Sequence, residues 1–128
     1  MTAYPKPLRR RPKQPAHVPK KLLAALTARD GHRSAWTGDD NDTLVPQHRQ
    51  GGMGGRRGKH DLANLVWLES ELNGAIKDDA DLQAEAMLRG IAVSIHADPA
   101  LVPVRHAVHG VVFLSSDGRA VPVGEVPA

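Results

Sequence analysis

The chain, 128 residues long, predicts an α+β domain, and three patterns carry that expectation. Apolar residues recur at helical spacing after Pro19, after Asp61 and after Asp79. Turn-forming residues at 37–42 separate two short extended stretches, and residues 91–96 and 111–123 alternate as strands do. The length suits one small domain with tails, since single domains commonly run to about 100–150 residues.

Taken in order, residues 1–18 predict a tail. Pro5, Pro7, Pro12 and Pro15 alternate with Lys6, Arg9, Arg10, Arg11 and Lys13, a composition that favours a solvated, extended segment. From Pro19, a residue suited to a first helical turn, Leu22, Leu23, Ala25 and Leu26 share one helical face until Asp30-Gly31 stops the run. The stretch AWTGDDNDTLVPQHR (35–49) reads as a hairpin turning at 37–42, with Pro46 keeping its second arm from being a central strand. A helix is expected to begin at about Asp61 and to carry Leu62, Leu65, Val66, Leu68, Leu72 and Ile76, with Gly74 a weak point. Residues 79–89 predict another helix ending on Gly90, its Leu82, Ala86 and Met87 stripe facing the core. IAVSIH (91–96) predicts a strand, and VVFLSSDGRAVPV a small hairpin at Asp117-Gly118.

Composition narrows the classes. Cysteine is absent, which excludes disulfides and thiolate metal sites. No apolar run approaches 18 residues and the first residues lack a leader pattern, so neither a membrane span nor secretion is indicated and a cytoplasmic location is expected. The net charge of +3 conceals sorting: eight Lys and Arg residues precede the first acid, Asp30, whereas Glu69 to Glu85 is acidic. A basic tail and a basic loop suit a polyanion, because each phosphate neutralised releases counterions.

The basic loop is QHRQGGMGGRRGKH (47–60), which holds no carboxylate. Its glycines let backbone N–H groups approach a phosphate, while Arg49, Arg56, Arg57 and Lys59 supply charge; His60 either reaches a phosphate or ends the loop. Cutting a phosphodiester needs a base for water, and neutral imidazole titrates in the right range, which singles out His48. It also needs a cation to offset charge on the phosphorane.

The order of histidine, glycine-rich basic loop and Asn-bearing LANLVWLESELNG (62–74), approached through ARDGHRSAWTG (28–38), resembles the HNH, or ββα-metal, endonucleases. Small HNH proteins of phages that infect actinobacteria are the most similar, and the resemblance covers roughly residues 20–104. It implies a ββα-metal (His-Me finger) core and metal-dependent cleavage or nicking of double-stranded DNA with little sequence specificity. His48 would be the general base, Asn64 would orient it by hydrogen bonding, and Asn73 would take the place of the last histidine, a metal ligand. Gln47 stands where relatives often carry an acidic ligand, giving an H-N-N pattern whose amide oxygens suit a hard ion such as Mg²⁺ or Mn²⁺. Asn64 also suits a helix cap, and Asn73 before Gly74 a helix stop. Many relatives clamp a structural zinc with four cysteines, at positions corresponding to Ser34, Thr37, Glu69 and Leu72; none is present, so no structural zinc is expected, and Trp36 and Leu72 should serve as core contacts instead. The resemblance extends to a partnership with the phage terminase and to host cytoplasm. The alternative is an inactive HNH scaffold that binds DNA or associates with the virion.

The expected organisation is a tail at 1–18, an HNH-like domain at 19–104 and a C-terminal hairpin extension at 105–128. His106 and His109 have metal-like spacing, but alternation should send them apart; His17, His32 and His96 should be surface residues.

Overall fold

The computed structural model describes residues 17–51 and 58–124. Among the described residues three α-helices and two small antiparallel sheets form an α+β fold. The tail at 1–16 and the loop residues 52–57, Arg56 and Arg57 included, lie outside the described residues. Val18, assigned to the tail by composition, is buried against α1.

Helix α1 (Lys20–Asp30) starts on Pro19, whose carbonyl accepts from Leu22 N–H and Leu23 N–H at 3.0 and 3.1 Å. It ends at Gly31, where a φ of 69° is cheap for glycine.

The expected hairpin at 35–49 and the helix from Asp61 are both corrected. Residues 34–39 form a tight turn instead, closed by Ser34 N–H to Asp39 O and Gly38 N–H to Ser34 O. Strand β1 (Leu44–His48) pairs with a strand further on, β2 (Leu65–Glu69), in antiparallel register that sets His48 opposite Leu65 and Gln47 opposite Val66. Asp61 does act as a cap, but of a single 3-10 turn (Leu62–Asn64) that precedes β2. Packing explains the change. Leu65 and Trp67 enter one cluster with Leu26, Leu44 and Leu62, while Val66 and Leu68 enter another with Ile76, Ile91, Val104 and Leu114. A strand between two layers buries all four side chains, whereas a helix would turn one or two toward solvent and forgo about 1.5–3 kcal/mol for each. An unbroken apolar run is compatible with either element, and its two-sided surroundings select the strand.

Helix α2 (Ser70–Asp78) follows β2 directly and tolerates Gly74. Helix α3 (Ala80–Leu88) is capped by Asp79, which accepts from Asp81 N–H and Leu82 N–H. Ala86 is buried and Leu82 packs beside the larger cluster, but Met87, expected in the core, is 51% exposed. After Gly90 the residues 91–96 form no ladder. Ile91 and Val93 are buried as the alternation predicts, yet their amides bond to Ala86 O and Arg49 O rather than to a neighbouring strand.

The C-terminal hairpin is present as β4 (Gly110–Leu114) and β5 (Ala120–Pro122), and β3 (Val104–His106) adds a further strand in the order β3-β4-β5. Val104, Val112 and Leu114 share the core of Val66 and Leu68. Residues 105–124 therefore complete the main core rather than extend from it. Among the described residues no helix is long and apolar enough to cross a membrane.

Candidate functional site

His48 sits at the end of β1, where strand pairing fixes its backbone. Its Nε2 lies 3.0 Å from Nδ1 of His60, with ring centroids 5.1 Å apart. His60 is 4% exposed, so it serves as an inner partner of His48 and not as a contact for DNA phosphate. Burial, then the charges of His60 and Lys59, lowers the His48 pKa from 6.5 to about 4, leaving the imidazole neutral at physiological pH.

Asn64 is buried, and its side chain makes no bond to the His48 ring, contrary to the expectation that it would orient the imidazole directly. Its Oδ1 accepts from Gln50 N–H at 2.7 Å, and its Nδ2 donates to Lys59 O at 3.0 Å and Gln50 O at 3.3 Å. Its carbonyl accepts from Arg49 N–H. One amide thus ties the backbone just after His48 to the backbone just before His60.

Gln47 and His48, as neighbours in a strand, face opposite sides of the β1-β2 ribbon. Gln47 is on the side of Val66, against which α2 packs through Ile76, and its Nε2 donates to His48 O. Asn73 lies one helical turn before Ile76, and its Oδ1 is buried without a hydrogen-bond partner. A buried acceptor with no donor is costly, on the order of 1–3 kcal/mol, unless something else occupies its lone pairs. Amide oxygens such as those of Asn73 and Gln47 are hard neutral donors, of the kind that suits Mg²⁺ or Mn²⁺ only weakly.

Arg49 corrects an expectation about the basic loop. Its guanidinium is 2% exposed and donates to the carbonyls of Gly90, Ala63, Pro99 and Val102 at 2.6–2.9 Å. Burial lowers its pKa to about 10, still well above neutrality. It is an internal tie between segments and unavailable to DNA. Lys59 remains partly accessible at the loop's end.

Ser34, Thr37 and Glu69, three of the positions that correspond to zinc cysteines in the resembled family, converge through hydrogen bonds. The Ser34 hydroxyl donates to Glu69 Oε1, Thr37 Oγ1 donates to Glu69 Oε2 at 2.8 Å, and Ser34 Oγ accepts from the amides of Trp36 and Thr37. Leu72 and Trp36 pack against the larger cluster, as expected of core contacts, and the Arg89 guanidinium stacks 4.0 Å over Trp36.

A second cluster escaped the sequence reading. His106 and His109, expected to diverge, both reach Asp30 at the end of α1, with His109 Nε2 2.8 Å from Oδ1 and His106 Nε2 3.3 Å from Oδ2. The spacing of two histidines on a turn was the available signal, but their carboxylate partner is remote in sequence. Burial would raise the Asp30 pKa, but hydrogen bonds from Arg29 and His106 and the Arg29 charge outweigh it and hold the carboxyl well below the usual carboxylate range. The potential ligand atoms of Asp30, His106 and His109 lie within 4.8 Å of one another, so the group could hold a metal ion. As it stands it is committed otherwise. Arg29 pairs with both carboxylate oxygens at 2.7 and 2.8 Å, and Val108 N–H bonds to His106 Nδ1, which places that ring's proton on Nε2, toward Asp30. A metal on His106 Nε2 would have to displace its proton to Nδ1 and break the Val108 bond, so the cluster reads first as an ionic tie between α1 and the C-terminal sheet.

Comparison with protein-family models, with curated proteins and with solved structures found no match.

Proposed function

We propose that the chain is a metal-dependent HNH-type endonuclease that cleaves or nicks double-stranded DNA with little sequence specificity. The observation that carries this reading is the order strand, glycine loop, strand, helix, with His48 ending the first strand and the orphaned Asn73 Oδ1 on the helix that follows the second. The convergence of Ser34, Thr37 and Glu69, which the resemblance pairs as clamp positions, is consistent with it.

In this mechanism His48 takes a proton from water, the water oxygen attacks phosphorus, the bond from phosphorus to the 3′ oxygen breaks, and the leaving 3′ oxygen takes a proton from solvent water. Asn64 holds His48 in place through the backbone of Arg49 and Gln50 rather than through its ring. Lys59, with Arg56 and Arg57, attracts the phosphate backbone, which gives affinity without sequence readout. Gln47 and Asn73 would hold a divalent ion, Mg²⁺ or Mn²⁺, which supplies charge neutralisation when bound; because Gln47 and His48 face opposite sides of the ribbon, the scissile phosphate would have to sit at the end of β1 to meet both. Phage origin and a terminase partner extend the same proposal and rest on the resemblance alone.

A second reading, an inactive scaffold that binds DNA, is favoured by the neutral ligand pair, because neither Gln47 nor Asn73 brings a charge to the ion. A plasmid-nicking assay with Mg²⁺, Mn²⁺ and Ni²⁺ decides between them. Metal-dependent nicking that His48→Ala reduces by about 10²–10⁴-fold supports the enzyme; salt-sensitive gel-shift binding with no nicking in either protein supports the scaffold.

A further inference from the structure

We infer that His60 is a positioning residue that fixes the tautomer of His48, with His48 donating its Nε2–H to His60 Nδ1 and keeping a bare Nδ1 for the reacting water. The inference deepens the nuclease reading and rests on it for the direction of the bond.

The geometry leaves two arrangements. A nitrogen-to-nitrogen separation of 3.0 Å is a hydrogen bond, which holds one proton between the rings. If His60 Nδ1 carries it, neutral His48 accepts at Nε2 and bears its own proton on Nδ1, so neither nitrogen can take one from water. If His48 Nε2 carries it, Nδ1 has a free lone pair. Only the second makes His48 a base, and it requires that His60 present its Nδ1 lone pair inward.

The scaffold holds the rings in that relation. The two histidines are twelve positions apart across a glycine-rich segment, yet the Asn64 amide bonds to Gln50 on one flank and Lys59 on the other. His60 is buried, so its ring cannot drift into solvent, whereas His48 is only partly buried. A fixed inner imidazole and a partly buried outer one are the arrangement a tautomer lock requires, since the second-row partner decides which nitrogen of the first is bare.

The test is the ¹⁵N spectrum of the imidazoles in the full-length protein at neutral pH, paired with plasmid nicking. The expected result is a protonated Nε2 and a bare Nδ1 on His48. In His60→Leu, a mixture of both tautomers and nicking reduced by about 10²–10⁴-fold are expected. His60→Asn, whose Oδ1 stands near the position of Nδ1, should restore the Nε2–H form and most of the activity. A proton on His48 Nδ1 in the wild-type spectrum overturns the inference, and that measurement needs no variant to fold. A folded His60→Leu with unchanged tautomer and unchanged nicking overturns it too. An Nε2–H tautomer that His60→Leu abolishes, with no nicking by any form, upholds the lock and rejects the nuclease reading.

Discussion

Arg49→Met offers the sharpest test of how this fold is held. The guanidinium reaches the carbonyls of Gly90, Ala63, Pro99 and Val102, so it links the end of α3, the 3-10 turn before β2 and the approach to β3. Methionine has similar length and fills the space, so the change isolates the hydrogen bonds from packing. Pro99 O also accepts from Val102 N–H and keeps a partner. The other three carbonyls lose the Arg49 donor, at about 1–3 kcal/mol each for a buried acceptor left unmet. Removal of the buried guanidinium recovers some solvation, which brings the expected loss to about 3–6 kcal/mol. Since domains of this size are commonly stable by about 5–15 kcal/mol, Arg49→Met should lose a large share of its stability and approach unfolding at room temperature only if the wild type lies near the lower end of that range. Arg49→Lys keeps the charge but lacks the fork, and should lose roughly half as much. Urea denaturation followed by circular dichroism gives the values. A loss below about 1 kcal/mol in Arg49→Met would refute the claim that this arginine is structural. So would a folded Arg49→Lys whose DNA affinity alone has fallen, because that outcome would return Arg49 to the binding face.

Other expectations follow from the same contacts. A Cβ on Gly90 would lie 2.0 Å from Pro103 O, at a backbone φ of 70°, so Gly90→Ala should lower stability by about 3 kcal/mol or more, readable in thermal denaturation. For His48 the folded pKa of about 4 lies below the ordinary 6.5, so the unfolded chain binds a proton that the folded one refuses. Stability should therefore fall as pH drops from 6.5 to 4, by on the order of 1–2 kcal/mol after allowing for solvent screening, and His48→Asn should remove that slope. Asp30→Asn strips the carboxylate from a buried arginine and should cost about 3–5 kcal/mol at pH 7, where the wild-type carboxylate is ionised, with the difference shrinking as wild type is acidified through the Asp30 titration. Gln47→Asp supplies a charged ligand, and calorimetric titration with Mn²⁺ should show affinity raised by on the order of tenfold; unchanged affinity would remove Gln47 from the ion's surroundings.

The fold was legible in the sequence where local rules decide. Pro19 and Gly31 bracket α1, Asp79 and Gly90 bracket α3, and Asp117-Gly118 turns the last hairpin, each through backbone preferences that need no distant partner. Leu65 to Leu68 misled because four apolar residues in a row satisfy a helix or a two-sided strand, and only the layers on either side choose. Arg49 misled for a related reason. In a run with Arg56, Arg57 and Lys59 its charge reads as surface, while the carbonyls that hold it come from residues 63–102. His48, Asn64, Gln47 and Asn73 were visible as residue types at a spacing. The partner of His48 and the two backbone segments that Asn64 joins depend on chain closure, which no local pattern encodes.

The mooring of Gln50 and Lys59 to one amide has a consequence for how such chains can vary. With both stems pinned, lengthening the sequence between them is cheap, since doubling a loop adds only about 0.6 kcal/mol of closure entropy. Length and charge between the two moorings can therefore change among related sequences, and with them the grip on a ligand, while the imidazoles beyond them keep their spacing.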